Sequence, residues 1–212
     1  MTARLIWATP DTDAVIADIA RVSNPSNQGN TETAPRLIRY LIRHKHWSPL
    51  EMASMCVEVT TTRDIGRQMI RHYSLRPQEF SQRYADVRAL GDPILRRARR
   101  QDTKNRQNSI DDFDQKIVAW FYQEQQAHWN EAVRRYNNAL ERGIAKELAR
   151  VFLPEGNTPT RMYLAGTIRH WLHYCQLRTG NGTQSEHVEI AKAVWDVLRE
   201  VAPATVAAAE AE

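Results

Sequence analysis

The sequence predicts an α+β fold dominated by helices, on three observations. Apolar residues recur at spacings of three and four through most of the chain, which is one buried helical face repeated. Residues 52–62 are instead rich in Val, Thr and Met and lack Gly and Pro, so they read as a strand. The chain has 212 residues, a length that suits one domain, taken here as 1–212.

The elements follow in order. Residues 11–22 read as a helix, and the run Asn24-Pro-Ser-Asn-Gln-Gly-Asn30 then breaks the chain through Thr31. Residues 33–44 carry Leu37, Ile38, Leu41 and Ile42 on one helical face. After the strand, 63–70 return to helical spacing. Pro77 denies residues 71–84 a continuous helix, so this stretch, dense in Arg, Ser, Gln and aromatic residues, reads as an ordered functional loop. Residues 88–108 are nearly all polar, with Arg96, Arg97, Arg99 and Arg100 close together, and read as a solvated or partner-facing connection.

Residues 110–142 can run as one helix, with Ile117, Val118, Phe121, Trp129, Val133, Tyr136 and Leu140 as its apolar stripe. It would span roughly 50 Å at about 1.5 Å per residue, more than one small core can cover, which points to packing against another subunit. Three further helices are expected at 145–152, 159–177 and 184–201, followed by a frayed Ala- and Glu-rich tail.

Composition narrows the chemistry. The net charge of +4 suits a small anionic ligand and is too low to indicate nucleic acid by itself. Two cysteines, Cys56 in the strand and Cys175 in a helix, make neither a paired motif nor a disulfide framework, and both read as core residues in a reducing, cytoplasmic setting. No apolar run approaches the roughly 18 residues of a membrane span. Neither a GxxxxGK[ST] loop nor a GxGxxG fingerprint occurs.

Three clusters carry chemistry. From Gln68 to Tyr84, seventeen residues hold Arg71, His72, Arg76 and Arg83 among hydroxyls and amides, a set able to grip a phosphate and a flat heterocycle, or to form a basic surface turn. Arg178 precedes a glycine-containing turn that leads to Gln184, Glu186 and His187, where the plain alternative is a helix corner. His46-Trp-Ser-Pro-Leu-Glu51 has His and Glu five positions apart, whereas zinc on a helix needs three or four, so no metal is expected.

Together these segments resemble the flavin-dependent thymidylate synthases, the ThyX family, whose signature is Arg-His-Arg, seven residues, then Ser. Here Arg71-His72-Tyr73 is followed by seven residues and Ser81, and the match extends through Glu79, Arg83 and Tyr84. Flanking agreement runs from Ala20-Arg21-Val22-Ser23, through 46–51 and Arg150 before Leu153-Pro154, to Leu177-Arg178, Gln184 and Glu186. Tyr73 stands where the family has Arg, Leu75-Arg76-Pro77 is unusual for the loop, and Thr167 and His173 replace asparagines near the flavin. These departures are similar to a specialised branch, the UMP 5-methylases of polyoxin biosynthesis.

The resemblance implies a small antiparallel sheet flanked by long helices, in a homotetramer whose sites are shared between subunits. It also implies transfer of a one-carbon unit from methylenetetrahydrofolate to carbon 5 of a uridylate, with FAD reduced by NADPH as hydride source. That agrees with the lack of a plausible cysteine nucleophile. Arg178 is the implied catalytic residue. Gln68, Arg71, Glu79, Phe80, Ser81, Gln82, Arg83, Arg150 and Arg178 are expected on the nucleotide. Ser23, His46, Ser48, Arg71, His72, Tyr73, Ser74, Gln78, Glu79, Thr167, Arg169 and His173 are expected around the flavin. Ser81 is expected to hold phosphate rather than act as a nucleophile, because no residue of its motif is a base suited to activating it. The altered 73–77 loop favours UMP, with dUMP also accepted, over dUMP alone; hydroxymethylation and a non-catalytic RNA-binding role built on the arginines are the remaining alternatives.

Overall fold

The strands are β1 (Thr2–Ala8), β2 (Ser54–Thr62), β3 (Arg76–Glu79), the short pair β4 (Arg100–Gln101) and β5 (Ser109–Ile110), and β6 (Pro159–Thr167). In the computed structural model, which describes residues 1–212, β1, β2, β6 and β3 form one antiparallel sheet in that spatial order, and β4 with β5 forms a second. The helices are α1 (Thr12–Ala20), α2 (Ala34–Arg43), α3 (Arg63–Met69), α4 (Gln115–Glu141), α5 (Lys146–Ala149), α6 (Ile168–Arg178), α7 (Ser185–Val201) and α8 (Pro203–Glu210).

The central pairing sets Met55, Val57 and Val59 of β2 opposite Gly166, Leu164 and Met162 of β6. All but the glycine are fully buried, and they face the stripes of α6 (Ile168, Trp171, Leu172, Cys175) and α7 (Ile190, Ala191, Val194, Leu198) in one core. Trp171 donates its indole N–H to the Met55 carbonyl at 3.1 Å, so a large ring is buried without an orphaned polar atom. A smaller cluster, Val87, Tyr136, Ala139, Ala149 and Leu153, holds α4 against α5.

Several expectations are corrected. The helix expected over 159–177 is two elements. Burial alternates along β6, with Thr160, Met162 and Leu164 inside and Arg161 and Tyr163 outside, and helical spacing starts only at Ile168. Thr167 marks the switch as N-cap of α6. The loop expected over 71–84 contains β3, and Pro77 is tolerated there because β3 is an edge strand, where a missing N–H breaks no ladder. The tail is a docked helix, α8: Thr205, Val206 and Ala208 are buried, and the Asp13 carboxylate of α1 accepts from the Ala204 N–H at 2.7 Å and the Thr205 N–H at 3.2 Å. The N-terminal residues, given no element by the sequence reading, are β1. The long helix starts at Gln115, where Asp114 caps it, and spans about 40 Å.

The polar connection is not merely solvated. Arg96 pairs with Asp64, Arg97 with Asp111, Arg99 with Glu186 and Arg100 with Asp112, which straps residues 96–112 onto α3 and α7.

Candidate active site

Chain geometry between α3 and β3 places the first cluster. A tight turn follows Met69: the His72 N–H donates to the Met69 carbonyl at 3.0 Å and the Leu75 N–H to the His72 carbonyl at 2.9 Å. Leu75 is buried and anchors the turn. His72 is thereby aimed at the end of α6, where the Arg178 Nε donates to its Nε2 at 2.8 Å and the Tyr174 ring meets it edge-on at 5.0 Å. A guanidinium can only donate, so His72 Nε2 must accept and the ring is neutral with its proton on Nδ1. Burial, with the charges of Arg178 and His173 beside it, holds the His72 pKa down at about 4.

A second group continues from there into the interior. His187 is fully buried, with Tyr174 Oη 3.1 Å from its Nε2 and Gln68 Oε1 3.1 Å from its Nδ1. Gln68 Nε2 donates to Gln184 Oε1 at 2.8 Å, Gln184 Nε2 donates to Glu186 Oε2 at 2.9 Å, and Arg99 donates to Glu186 Oε1 at 2.7 Å. The first and second sequence clusters therefore meet through Gln68, Gln184, His72 and Arg178.

The remaining nucleotide candidates line two other concavities. Gln78, Glu79, Phe80 and Ser81 border a cleft of about 380 Å³ with Tyr84 and Arg161. Within it the Thr160 hydroxyl donates to Glu79 Oε1 at 2.8 Å and Arg63 pairs with the same oxygen at 3.3 Å. Gln82 and Arg150 border a cleft of about 390 Å³ with Arg63 and Arg67, and the buried Gln82 Nε2 has no partner within the chain. Arg83 is paired with Glu147 at 2.9 Å, while Arg71 and Ser81 are exposed. One chain thus distributes these residues over three places.

The third cluster is joined to the start of α6. Thr167 donates to Glu51 Oε2 at 2.7 Å, His170 lies 3.4 Å from that oxygen, and the Arg169 guanidinium stacks 4.1 Å over the Trp47 ring. His46, Ser48 and His173 are exposed around this junction, Ser23 is exposed after α1, Ser74 is half-buried, and Tyr73 is 86% exposed. Thr167 is occupied twice over, since its hydroxyl also caps α6 by accepting from the His170 N–H at 3.3 Å.

Sequence reasoning gave no site role to Arg63, Trp47, His170, Tyr174, His187 and Arg99, although Trp47 and His187 stand within the third and second clusters. Tyr174 sits inside regular helical spacing and shows no local signal, whereas His187 closes the second cluster without any local sign of its partners. Arg99 had one, a cation in a polar strap, without a visible partner.

The Thy1 family model, described as thymidylate synthase complementing protein, matches residues 4–204. A probable flavin-dependent thymidylate synthase of Paramecium bursaria Chlorella virus 1 is 48% identical over 205 residues, 93% of this chain and 94% of the relative. The chain belongs to the flavin-dependent thymidylate synthase family. A flavin-dependent thymidylate synthase of Synechocystis is 45% identical and covers 93% of this chain and 89% of its own. The crystal structure of a UMP/dUMP methylase, PolB from Streptomyces cacaoi, bound with 5-Br dUMP, superposes with a TM-score of 0.85, covering 99% of this chain and 94% of the other at 24% identity, which establishes the shared fold.

As a flavin-dependent thymidylate synthase the chain is a methyltransferase-type enzyme that uses FAD, with NADPH and methylenetetrahydrofolate as co-substrates. The donor set fits such a flavin. Around the junction of 46–51 with α6 stand an aromatic-stacked guanidinium, exposed imidazoles and a serine hydroxyl, and His170 Nδ1 is buried without a partner. These are groups for a diphosphate and for the polar edge of a flat ring. No helix of the chain is long and apolar enough to cross a membrane.

Proposed function

We propose that the chain, acting as one catalytic unit over residues 1–212, methylates dUMP at carbon 5 to make dTMP, in a homotetramer with shared sites. The observation that carries this is the Arg178–His72 contact, which puts the guanidinium ending α6 against the motif following α3. Arg178 Nε is committed to His72, so its terminal nitrogens are left to face the pyrimidine and stabilise negative charge developing on it as carbon 5 is attacked. Gln68, Arg71, Glu79, Phe80, Ser81, Gln82, Arg83 and Arg150 bind the nucleotide, with arginines and Ser81 on its phosphate. Ser23, His46, Ser48, Arg71, His72, Tyr73, Ser74, Gln78, Glu79, Thr167, Arg169 and His173 would hold FAD, which when bound and reduced by NADPH would supply a hydride. Carbon 5 exchanges its proton for the methylene carbon of methylenetetrahydrofolate, whose bonds to the folate nitrogens break to release tetrahydrofolate, and a hydride would complete the methyl group.

The choice of dUMP over UMP is supported by the relatives at 48% and 45% identity, both described as thymidylate synthases. UMP methylation of the nucleoside-antibiotic kind is the second reading, favoured by the departures at 73–77 and by a fold shared with a UMP/dUMP methylase. Tritium release from dUMP and UMP labelled at carbon 5, run in parallel with all three co-reactants, separates them. Faster release from dUMP is expected, and Arg178→Ala should lower it by about 10²- to 10³-fold with the fold intact. Faster release from UMP establishes the second reading. Near-normal turnover in the variant removes Arg178 from the chemistry.

A further inference from the structure

We infer that the Arg99–Glu186 ion pair is a positioning device that fixes which way round the amide of Gln68 faces the uridylate. This rests on the reading above, in which Gln68 binds the nucleotide.

The chain of contacts from Glu186 to Tyr174 has only one self-consistent polarity. Arg99 can only donate, and it holds the buried Glu186 at 2.7 Å, with side-chain exposures of 18% and 8%. Burial alone would push the Glu186 carboxyl up, but the hydrogen bonds from Arg99 and Gln184 outweigh it and hold the group below the usual carboxylate range, so it only accepts. Gln184 must therefore turn its NH₂ toward Glu186 and its carbonyl toward Gln68. Gln68 must answer with its own NH₂, which leaves its carbonyl toward His187 Nδ1. His187 must then carry its proton on Nδ1 and accept from the Tyr174 hydroxyl at Nε2. Reversing any one amide sets two acceptors face to face in a partly buried position, where an unmade hydrogen bond is costly.

The members come from four places, the 96–112 strap, α7, α3 and α6, so no single element dictates this polarity. Its origin is the charge on Glu186, which Arg99 maintains. Arg99 also donates from Nε to Ser109 at 2.8 Å, which keeps the guanidinium in place. Replacing the carboxylate by an amide reverses the chain, because Arg99 still claims the carbonyl of the new side chain and leaves its NH₂ to face Gln184, and Gln68 then offers the nucleotide the opposite end of its amide.

The test uses the flavin-loaded protein and its variants Glu186→Gln, Arg99→Met and Arg99→Lys. Long-range proton–nitrogen spectra of the His187 ring should show a single Nδ1–H tautomer in the parent and in Arg99→Lys, which keeps a cation. The opposite tautomer, with the proton on Nε2, should appear in Glu186→Gln, and a mixture in Arg99→Met. The KM for dUMP in the tritium assay should rise roughly five- to tenfold in those two with kcat little changed, the mark of lost uniform binding. An unchanged tautomer in Arg99→Met, or an unchanged KM in both, overturns the inference. If Glu186→Gln fails to fold, the Met and Lys pair at position 99 decides. Should the parent release no tritium while the tautomer still shifts, the reading of Gln68 as a nucleotide ligand fails and the polarity device stands.

Discussion

At the scale of single residues, the site is built around imidazoles kept neutral. Burial, then Arg178 and His173, lowers His72 from 6.5 to about 4, and burial, then Arg178 and His72, lowers His187 to about 3. Both bind protons more weakly in the folded chain than in the unfolded one. The unfolded chain therefore gains protons first as pH falls below about 6.5, and stability drops through that window toward each folded pKa. Melting temperature should decline from pH 7 to pH 4.5, and His187→Asn should flatten that decline; an unaltered slope would mean His187 is solvated. Arg178, His72 and Gln68 were singled out in the sequence through the family resemblance, since the runs of cations and amides around them read equally as a surface turn and a helix corner. His187 was marked by its cluster, but its role was not, because it depends on Gln68, 119 positions away.

Among the elements, legibility followed periodicity. α2, β2, α6 and α7 keep one period from end to end, whereas β6 holds period two for a few residues before α6 takes over, and a window spanning both reads as helix. Gly166 lies at that junction. A Cβ there would come within 2.6 Å of Cδ2 of the buried Leu75. Gly166→Ala should destabilise the chain by about 1–3 kcal/mol in urea titration, because the turn carrying His72 has to shift. A change below about 0.5 kcal/mol would show that Leu75 adapts freely. α8 escaped notice for another reason: its cap, Asp13, belongs to α1 at the other end of the chain.

For the whole molecule, the open surfaces carry the argument. Trp7 is 48% exposed and Val151 is 80% exposed, with Leu148 and Phe152 beside the latter. Much of α4 also lacks a partner within the chain, Trp120 included. Contiguous exposed apolar groups of this kind mark interaction sites, and together with nucleotide candidates spread over three places they support the proposed assembly with composite sites. Dilution of the holoenzyme should then release FAD, seen as rising flavin fluorescence, in step with dissociation measured by light scattering. A monomer that kept full FAD affinity would overturn the shared-site arrangement.

The strand order β1-β2-β6-β3 has a consequence for how the molecule is made. β2 leaves the ribosome early, but the neighbour for its second edge, β6, is encoded near the far end of the message. At about 5–20 residues per second, that edge stays bare for on the order of ten seconds. During the wait Met55, Val57 and Val59 lack the β6, α6 and α7 residues that complete their core. Newly synthesised chains are therefore most exposed to wrong pairing, and most in need of chaperone shelter, between the emergence of Thr62 and that of Pro159.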